Sequence, residues 1–300
     1  TLIEQILIPA QVITIGERAF YGCYNLKSIE IPTNSKLRSI QKEAFCKTSF
    51  EKFLIPSQVN QLGEGAFSCC DKLKTIRFPP DSKLDLIDDR TFFNSSIEKV
   101  SIPCNIKRIG AYAFSVCENL ISVEFSGNSK LQSIDQSAFS CTSIEKVTIP
   151  SHVKEIKDCA FVSCQDLTTV NFSRDSDLRF IGNDAFSYTS LERVMIPASV
   201  ATLGEYAFSC CTDLKSVEFA QNSNLTVIER EAFASSAIEK VLIPSKVTKI
   251  CEYAFSDCER LKSVEFPANC KIETIEKESF SSTLIEKISI PANVSVIKSF

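Results

Sequence analysis

Fourteen cysteines and one histidine are the residues of this 300-residue chain best equipped for chemistry: as disulfides, as metal ligands, or as a nucleophile with its base. Their spacing argues against each of these. Cys23, Cys70, Cys117, Cys164, Cys211 and Cys258 recur every 47 residues. Stacked at that period they form a column whose members stand two coils apart, roughly 9.6 Å at the usual strand spacing. A disulfide tolerates a Cα separation of only about 7 Å, so the column reads as small buried thiols. The same alignment puts Cys141 in an intervening coil, within reach of Cys117 or Cys164 but not both. The adjacent pairs Cys69-Cys70 and Cys210-Cys211 lack the C-x-x-C spacing of metal and redox motifs. His152, just after Pro150, is the only candidate base for a Ser-His-Asp or Cys-His arrangement, and no orienting constellation accompanies it. Gly16, Gly63, Gly110 and Gly204 occupy a turn column also filled by Lys157 and Cys251, which is not a phosphate-cradling loop. No catalytic, cofactor-binding or metal residue is predicted, and no cofactor.

Composition narrows the classes further. Hydrophobic residues make up 44% of the chain and charged residues 23%, which is globular usage. With 33 basic against 37 acidic residues there is no cationic excess to displace phosphate counterions, so a nucleic-acid partner is not expected. No apolar run reaches membrane-spanning length. Four Asn-x-Ser/Thr sequons, at Asn94, Asn171, Asn224 and Asn293, are the number chance supplies in a chain rich in serine and threonine. The chain opens on Thr1, its one methionine is Met195, and Val294 with Ile297 begins a further copy cut at Phe300. Repeats are therefore expected beyond both ends.

The elements that carry these columns follow from one period. Ile-Pro pairs begin at Ile8, Ile55, Ile102, Ile149, Ile196, Ile243 and Ile290, each 47 residues after the last. Within each unit the pattern apolar-x-x-apolar-x-apolar occurs twice, so thirteen such segments start alternately 23 and 24 residues apart, from position 3 to position 285. Each reads as one short strand, with alternate residues on one face. Most end on proline, which lacks the N–H a ladder needs and stops the strand at a fixed place. Between strands lie a second apolar pair, such as Val12 with Ile15, and then a phenylalanine. Phe20, Phe45, Phe67, Phe92, Phe114, Phe139, Phe161, Phe186, Phe208, Phe233, Phe255 and Phe280 fill that slot and should stack as an aromatic spine. The segment around each is too short for more than a helical turn.

The even-numbered turns fit the leucine-rich-repeat signature: Leu26, Ile29 and Ile31 are followed by Asn34, and the Asn34 slot later holds Asp81, Asn128, Asp175, Asn222 and Asn269. More specifically, Ile-Gly-x-x-Ala-Phe-x-x-Cys-x-x-Leu, best seen in 109–120 and 203–214, resembles the BspA-like class of leucine-rich repeats over essentially the whole chain. The resemblance implies a curved solenoid of the kind found in cell-surface antigens that bind partner proteins or surface glycans. The expected fold class is α/β but β-rich: a right-handed leucine-rich-repeat solenoid with one short parallel strand per turn and short helical or 3-10 turns opposite. It should form a single domain over residues 1–300, about 12 complete turns and a truncated one.

Function is then sought where copies differ. The slot after each strand's first apolar residue alternates charge, Glu4, Lys27, Glu51, Lys74, Glu98, and is broken at Ile121 and Thr168. The strand-ending proline gives way to Ser126 and Ser173 in the same stretch. The outward slot two residues earlier holds Thr148, Asn171 and Met195, against Glu30, Glu124, Glu218 and Glu265 elsewhere. Lys146 and Arg193 belong to a mild cationic stripe along the strand face. Ile121, Ser126, Lys146, Thr148, Thr168, Asn171, Ser173, Arg193 and Met195 are thus the predicted partner-binding residues of a non-catalytic cell-surface or extracellular module. An intracellular scaffold and a self-associating array are the rival readings.

Overall fold

The computed structural model describes residues 2–299, so Thr1 and the Phe300 of the predicted further copy lie outside the described residues. Two compact units divide the chain, Thr1–Glu145 and Lys146–Phe300. In the first unit the predicted strands form at Gln5–Leu7, Ser28–Glu30, Lys52–Leu54, Thr75–Arg77, Lys99–Ile102 and Ser122–Phe125. In the second they form at Lys146–Ile149, Thr169–Phe172, Arg193–Ile196, Ser216–Phe219, Lys240–Leu242 and Ser263–Glu265. Within each unit these strands pair in parallel, and equivalent positions face each other, as in Val100 with Val123 and Val194 with Val217. The segment from Ile285 joins no ladder and forms no strand.

Strand length follows the residue that ends each even-numbered segment. Where Pro32, Pro79 and Pro267 stand, the strand has three residues. Ser126, Ser173 and Ala220 replace them in the middle copies, and there it has four. The physical reason is the restored amide: Ala220 N–H donates to the Ile196 carbonyl at 3.0 Å, a bond proline cannot make.

The turn opposite the strands corrects the expectation of helical or 3-10 turns, since no helix forms among the described residues. In every turn the residues two before and two after the spine phenylalanine have positive φ. Arg18 and Gly22 flank Phe20, Tyr112 and Val116 flank Phe114, and Tyr206 and Cys210 flank Phe208. A left-handed residue reverses the helical sense at once. The N–H groups of alternate residues then point to the neighbouring coil, as in Phe208 to Ala232 and Cys210 to Ala234. Those between close tight local turns, as in Ser209 to Tyr206. The apolar pair between strand and turn forms a second ladder of two-residue strands, for example Arg108–Ile109 on Leu86–Ile87 and Thr202–Leu203 on Phe180–Ile181.

The core of each coil is a buried aliphatic and aromatic stack. In the first unit, successive spine rings from Phe20 to Phe139 stack at 5.3, 5.4, 5.5, 5.1 and 5.3 Å between centroids. In the second, those from Phe161 to Phe280 stack at 5.2, 5.2, 5.7, 5.3 and 5.6 Å. Next to the spine the coils approach so closely that a Cβ on Gly204 would lie 2.5 Å from the backbone nitrogen of Asn183. The vacant space is used: Asn183 Oδ1 accepts the N–H of Glu205 at 2.9 Å. Asp89 does the same for Ala111 beside Gly110.

No helix in the described residues is long and apolar enough to cross a membrane.

Candidate functional site

The cysteine column is a buried polar ladder inside the core. Cys70, Cys117, Cys211 and Cys258 donate to the carbonyls of Phe45, Phe92, Phe186 and Phe233 at 3.1 to 3.2 Å. In the coils between, Thr48 and Thr189 take the equivalent slot and donate to Phe45 and Phe186. Burial pushes the Cys70 thiol up to about 12 and those of Cys117 and Cys211 to about 11. A reactive thiolate requires the opposite shift, so these groups stay protonated and serve packing. The placement of Cys141 in this column is corrected: the slot lies three residues after the spine ring and is held by Thr142, which donates to the Phe139 carbonyl. Cys141 sits one residue earlier, in a left-handed conformation, with its side chain exposed, whereas Cys117 and Cys164 are buried. Neither pairing is therefore made.

His152 lies in an exposed loop beside Ser151 and Asp177, the residue types of a catalytic triad. Both partners, however, approach the same ring nitrogen: Ser151 Oγ is 3.3 Å and Asp177 Oδ2 3.8 Å from Nδ1. A triad needs serine on one nitrogen and carboxylate on the other, so that a proton can pass through the ring. Among the described residues, no group of three histidine, cysteine, aspartate or glutamate side chains could hold a metal ion.

A concavity lined by several of the predicted residues lies instead on the strand face of the second unit. Parallel register sets Lys146 and Thr148 beside Thr169 and Asn171, Thr169 beside Arg193, and Arg193 and Met195 beside Ser216 and Glu218. Alternation turns Val147, Val170, Val194 and Val217 into the core and their neighbours outward. A cavity of 750 Å³ opens over the middle strands, and five of the predicted residues, Thr168, Asn171, Ser173, Arg193 and Met195, line it. Lys146 and Thr148 flank it without lining it. Ile121 and Ser126 belong to the first unit, where Ile121 is exposed and Ser126 Oγ bonds the Ile102 carbonyl at 3.3 Å. Ser173 makes the equivalent bond to Ile149, so these serines first replace proline structurally.

Electrostatically the cavity is cationic. Arg174 and Arg193 line it together with a single acid, Glu192, and neither arginine has a carboxylate within ion-pair distance among the described residues. The predicted charge ladder also closes less than its spacing promised. Lys27 meets Glu4 at 3.1 Å, but the exposed Glu192 and Lys215 form no pair, as expected where an ion pair in water gains little over two solvated charges.

Three contributors escaped the sequence reading although each left a signal. Ala220, a cavity residue, replaces proline just as Ser173 does. Ser199 shares the loop slot of Asn105 and Asn293, whose amides donate to Ser82 and Ile272 carbonyls one coil away. The serine is too short for that reach, and its Oγ is buried without a partner at the cavity wall. Arg174 follows Ser173 directly. Met195 also proves less singular than the glutamates around it implied: Leu7, Leu54 and Leu242 hold the same outward slot and are likewise more than half exposed. Leu54 lines a second cavity of 590 Å³ in the first unit, and Leu242 a third of 390 Å³ in the second.

Solved structures similar to this chain are leucine-rich-repeat proteins. One from Bacteroides ovatus is 24% identical, with a TM-score of 0.76 over 98% of this chain and 78% of its own. One from Eubacterium ventriosum is 22% identical, with a TM-score of 0.59 over 99% and 82%. The pneumococcal vaccine antigen PcpA is 19% identical, with a TM-score of 0.52 over 99% and 84%. At these identities they show the fold, a parallel-strand leucine-rich-repeat solenoid. No curated protein matches the chain. The BspA type leucine-rich repeat region, in six copies, matches residues 1–121, 85–215 and 179–300, and the chain belongs to that family.

Proposed function

We propose that this chain is a non-catalytic binding module of a cell-surface or extracellular protein, and that the strand face of its second unit, around the 750 Å³ cavity, recognises a protein or surface glycan. The observation that carries this reading is the convergence at one cavity of four residues singled out by their departure from the repeat, Thr168, Asn171, Ser173 and Met195, with Arg193 of the cationic stripe. In an array whose core slots serve stacking, such departures on an exposed face mark where a partner can be distinguished. Surface placement draws support from the family and from the described likeness to a vaccine antigen.

The test is binding of the purified chain to whole cells, matrix proteins and a glycan array, repeated with Thr168→Glu, Asn171→Glu and Met195→Glu. All three residues lie at the surface, so folding should survive, and a Glu265→Ala variant of the same unit, outside the cavity, serves as control. Each cavity variant should weaken capture at least tenfold while the control does not. Capture unchanged by all three would remove the cavity from consideration.

A further inference from the structure

Resting on that reading, we propose that the occupant of the cavity is an extended acidic peptide segment, in which a carboxylate side chain stands beside an apolar one. Three features of the wall point to this chemistry. The first is charge. The lining carries two guanidinium groups and one carboxylate, a local excess of one positive charge on a chain whose net charge is −4. Elsewhere in the same unit cations near acids are used internally, as Arg230 is with Glu231 and Lys249 with Glu276. Arg174 and Arg193 are not, and the planar fork of arginine accepts a carboxylate through two parallel N–H bonds.

The second feature is the buried, partnerless hydroxyl of Ser199. A polar group in that position is costly until something bonds it. Its oxygen is closed to solvent as the side chain stands, so an occupant bonds it once the hydroxyl turns about the Cα–Cβ bond into the cavity, and a peptide backbone offers both N–H and C=O for that bond while its side chains reach the rest of the wall. The third feature is apolar. Met195 is exposed beside Pro197 and Phe172, and Ala220 takes the place of the proline ring that other copies put there. The flexible thioether adapts to a branched apolar side chain without requiring one shape. Two arginines are too few to hold a nucleic acid against the chain's negative charge.

The test uses the intact chain and a combinatorial library of acetylated, amidated hexapeptides, read by fluorescence anisotropy after selection. Selected peptides should share one aspartate or glutamate next to a leucine, isoleucine, valine or phenylalanine. Replacing that acid by its amide should weaken binding at least tenfold. Arg174→Gln and Arg193→Gln should each do the same, and Arg193→Lys should restore only part of the loss, because lysine keeps the charge without the fork. Affinity should fall as salt rises from 50 to 500 mM, a consequence of the exposed charges. Selection of neutral or basic peptides, or of none, would overturn the proposal, as would an arginine-independent consensus. A sulfated or carboxylated oligosaccharide binding through the same arginines would overturn the peptide and leave the cavity as the binding surface. If capture is unchanged by all three cavity variants of the cell-binding test, the underlying reading fails whatever the library yields.

Discussion

Replacing Gly204 by alanine asks whether this glycine is required by conformation or by the approach of two coils. Its backbone is not left-handed, yet an added Cβ would lie 2.5 Å from Asn183 N and 2.6 Å from both Asn183 Oδ1 and the Gly182 carbonyl carbon. Two of these three atoms are backbone, so the coils must part, and overpacking of this kind costs about 1–3 kcal/mol. The shift also dislodges Asn183 Oδ1 from the Glu205 N–H, adding about 1 kcal/mol. The expected total is about 2–4 kcal/mol. Gly65 makes the contrast: it is left-handed at φ 61°, but a Cβ there would meet nothing closer than Glu43 Cγ at 3.4 Å. Alanine at position 65 suffers the left-handed penalty of about 1–2 kcal/mol, partly offset by a less flexible unfolded chain. Urea titration followed by circular dichroism would compare the two variants with the parent. A Gly65→Ala loss equal to or larger than that of Gly204→Ala would refute the reasoning, because backbone conformation rather than inter-coil distance would then be decisive.

Other outcomes follow from the core and the cavity. Phe208→Ala, which removes a fully buried ring stacked on two neighbours, should destabilise by about 3–5 kcal/mol in the same titration. Phe20→Ala, which removes a partly buried ring with one stacking partner, should lose less than half as much, and equal losses would contradict a packed spine. Raised thiol pKa values make stability fall in alkali. Unfolded thiols release their protons near 9.0, whereas folded Cys70, Cys117 and Cys211 hold them to about 11 or 12. Stability is therefore full below pH 9 and lost as pH rises through that window, by up to about 1.4 kcal/mol per unit for each thiol. A triple Cys70→Ser, Cys117→Ser, Cys211→Ser chain, using the residue already present at Ser95 and Ser236 in that slot, should lose less between pH 8 and pH 10. In native protein a thiol reagent should modify Cys141 before any member of the buried column, as mass spectrometry of peptides would show. Ala220→Pro should cost about 1 kcal/mol through the lost bond to Ile196 and should also abolish partner capture by crowding the cavity.

The strands, the spine and the cysteine column were legible because each rests on a side chain that repeats at a fixed spacing. What escaped lies mainly in the backbone. Two left-handed residues flank every spine ring, but they are mostly spelled as residues such as Arg18, Tyr112, Val116 and Tyr206, and only Gly22, Gly65, Asn94, Asp184 and Asp257 carry the composition that usually marks such a conformation. Stacking overrides local preference there, since neighbouring coils supply carbonyls only to amides aimed along the stack. The two-residue strands were hidden for a related reason: a bridge that short leaves no alternation to detect. The cavity was partly visible, through Thr168, Asn171 and Met195, because a departure from a regular background can be read from one chain. Arg174 and Ser199 were missed because what distinguishes them is the lack of a partner, a property of arrangement rather than of residue type.

The replacement of proline at the ends of the middle strands gives this architecture a way to vary without disturbing itself. Exchanging proline for serine or alanine lengthens a strand by one residue while the 47-residue period and every buried slot stay as they were. A change of one amino acid can therefore open or close a recess at a chosen coil, independently of the side chains that line it. Binding surfaces in such arrays can then diversify coil by coil through backbone amides, leaving the stacking that holds the fold outside the experiment.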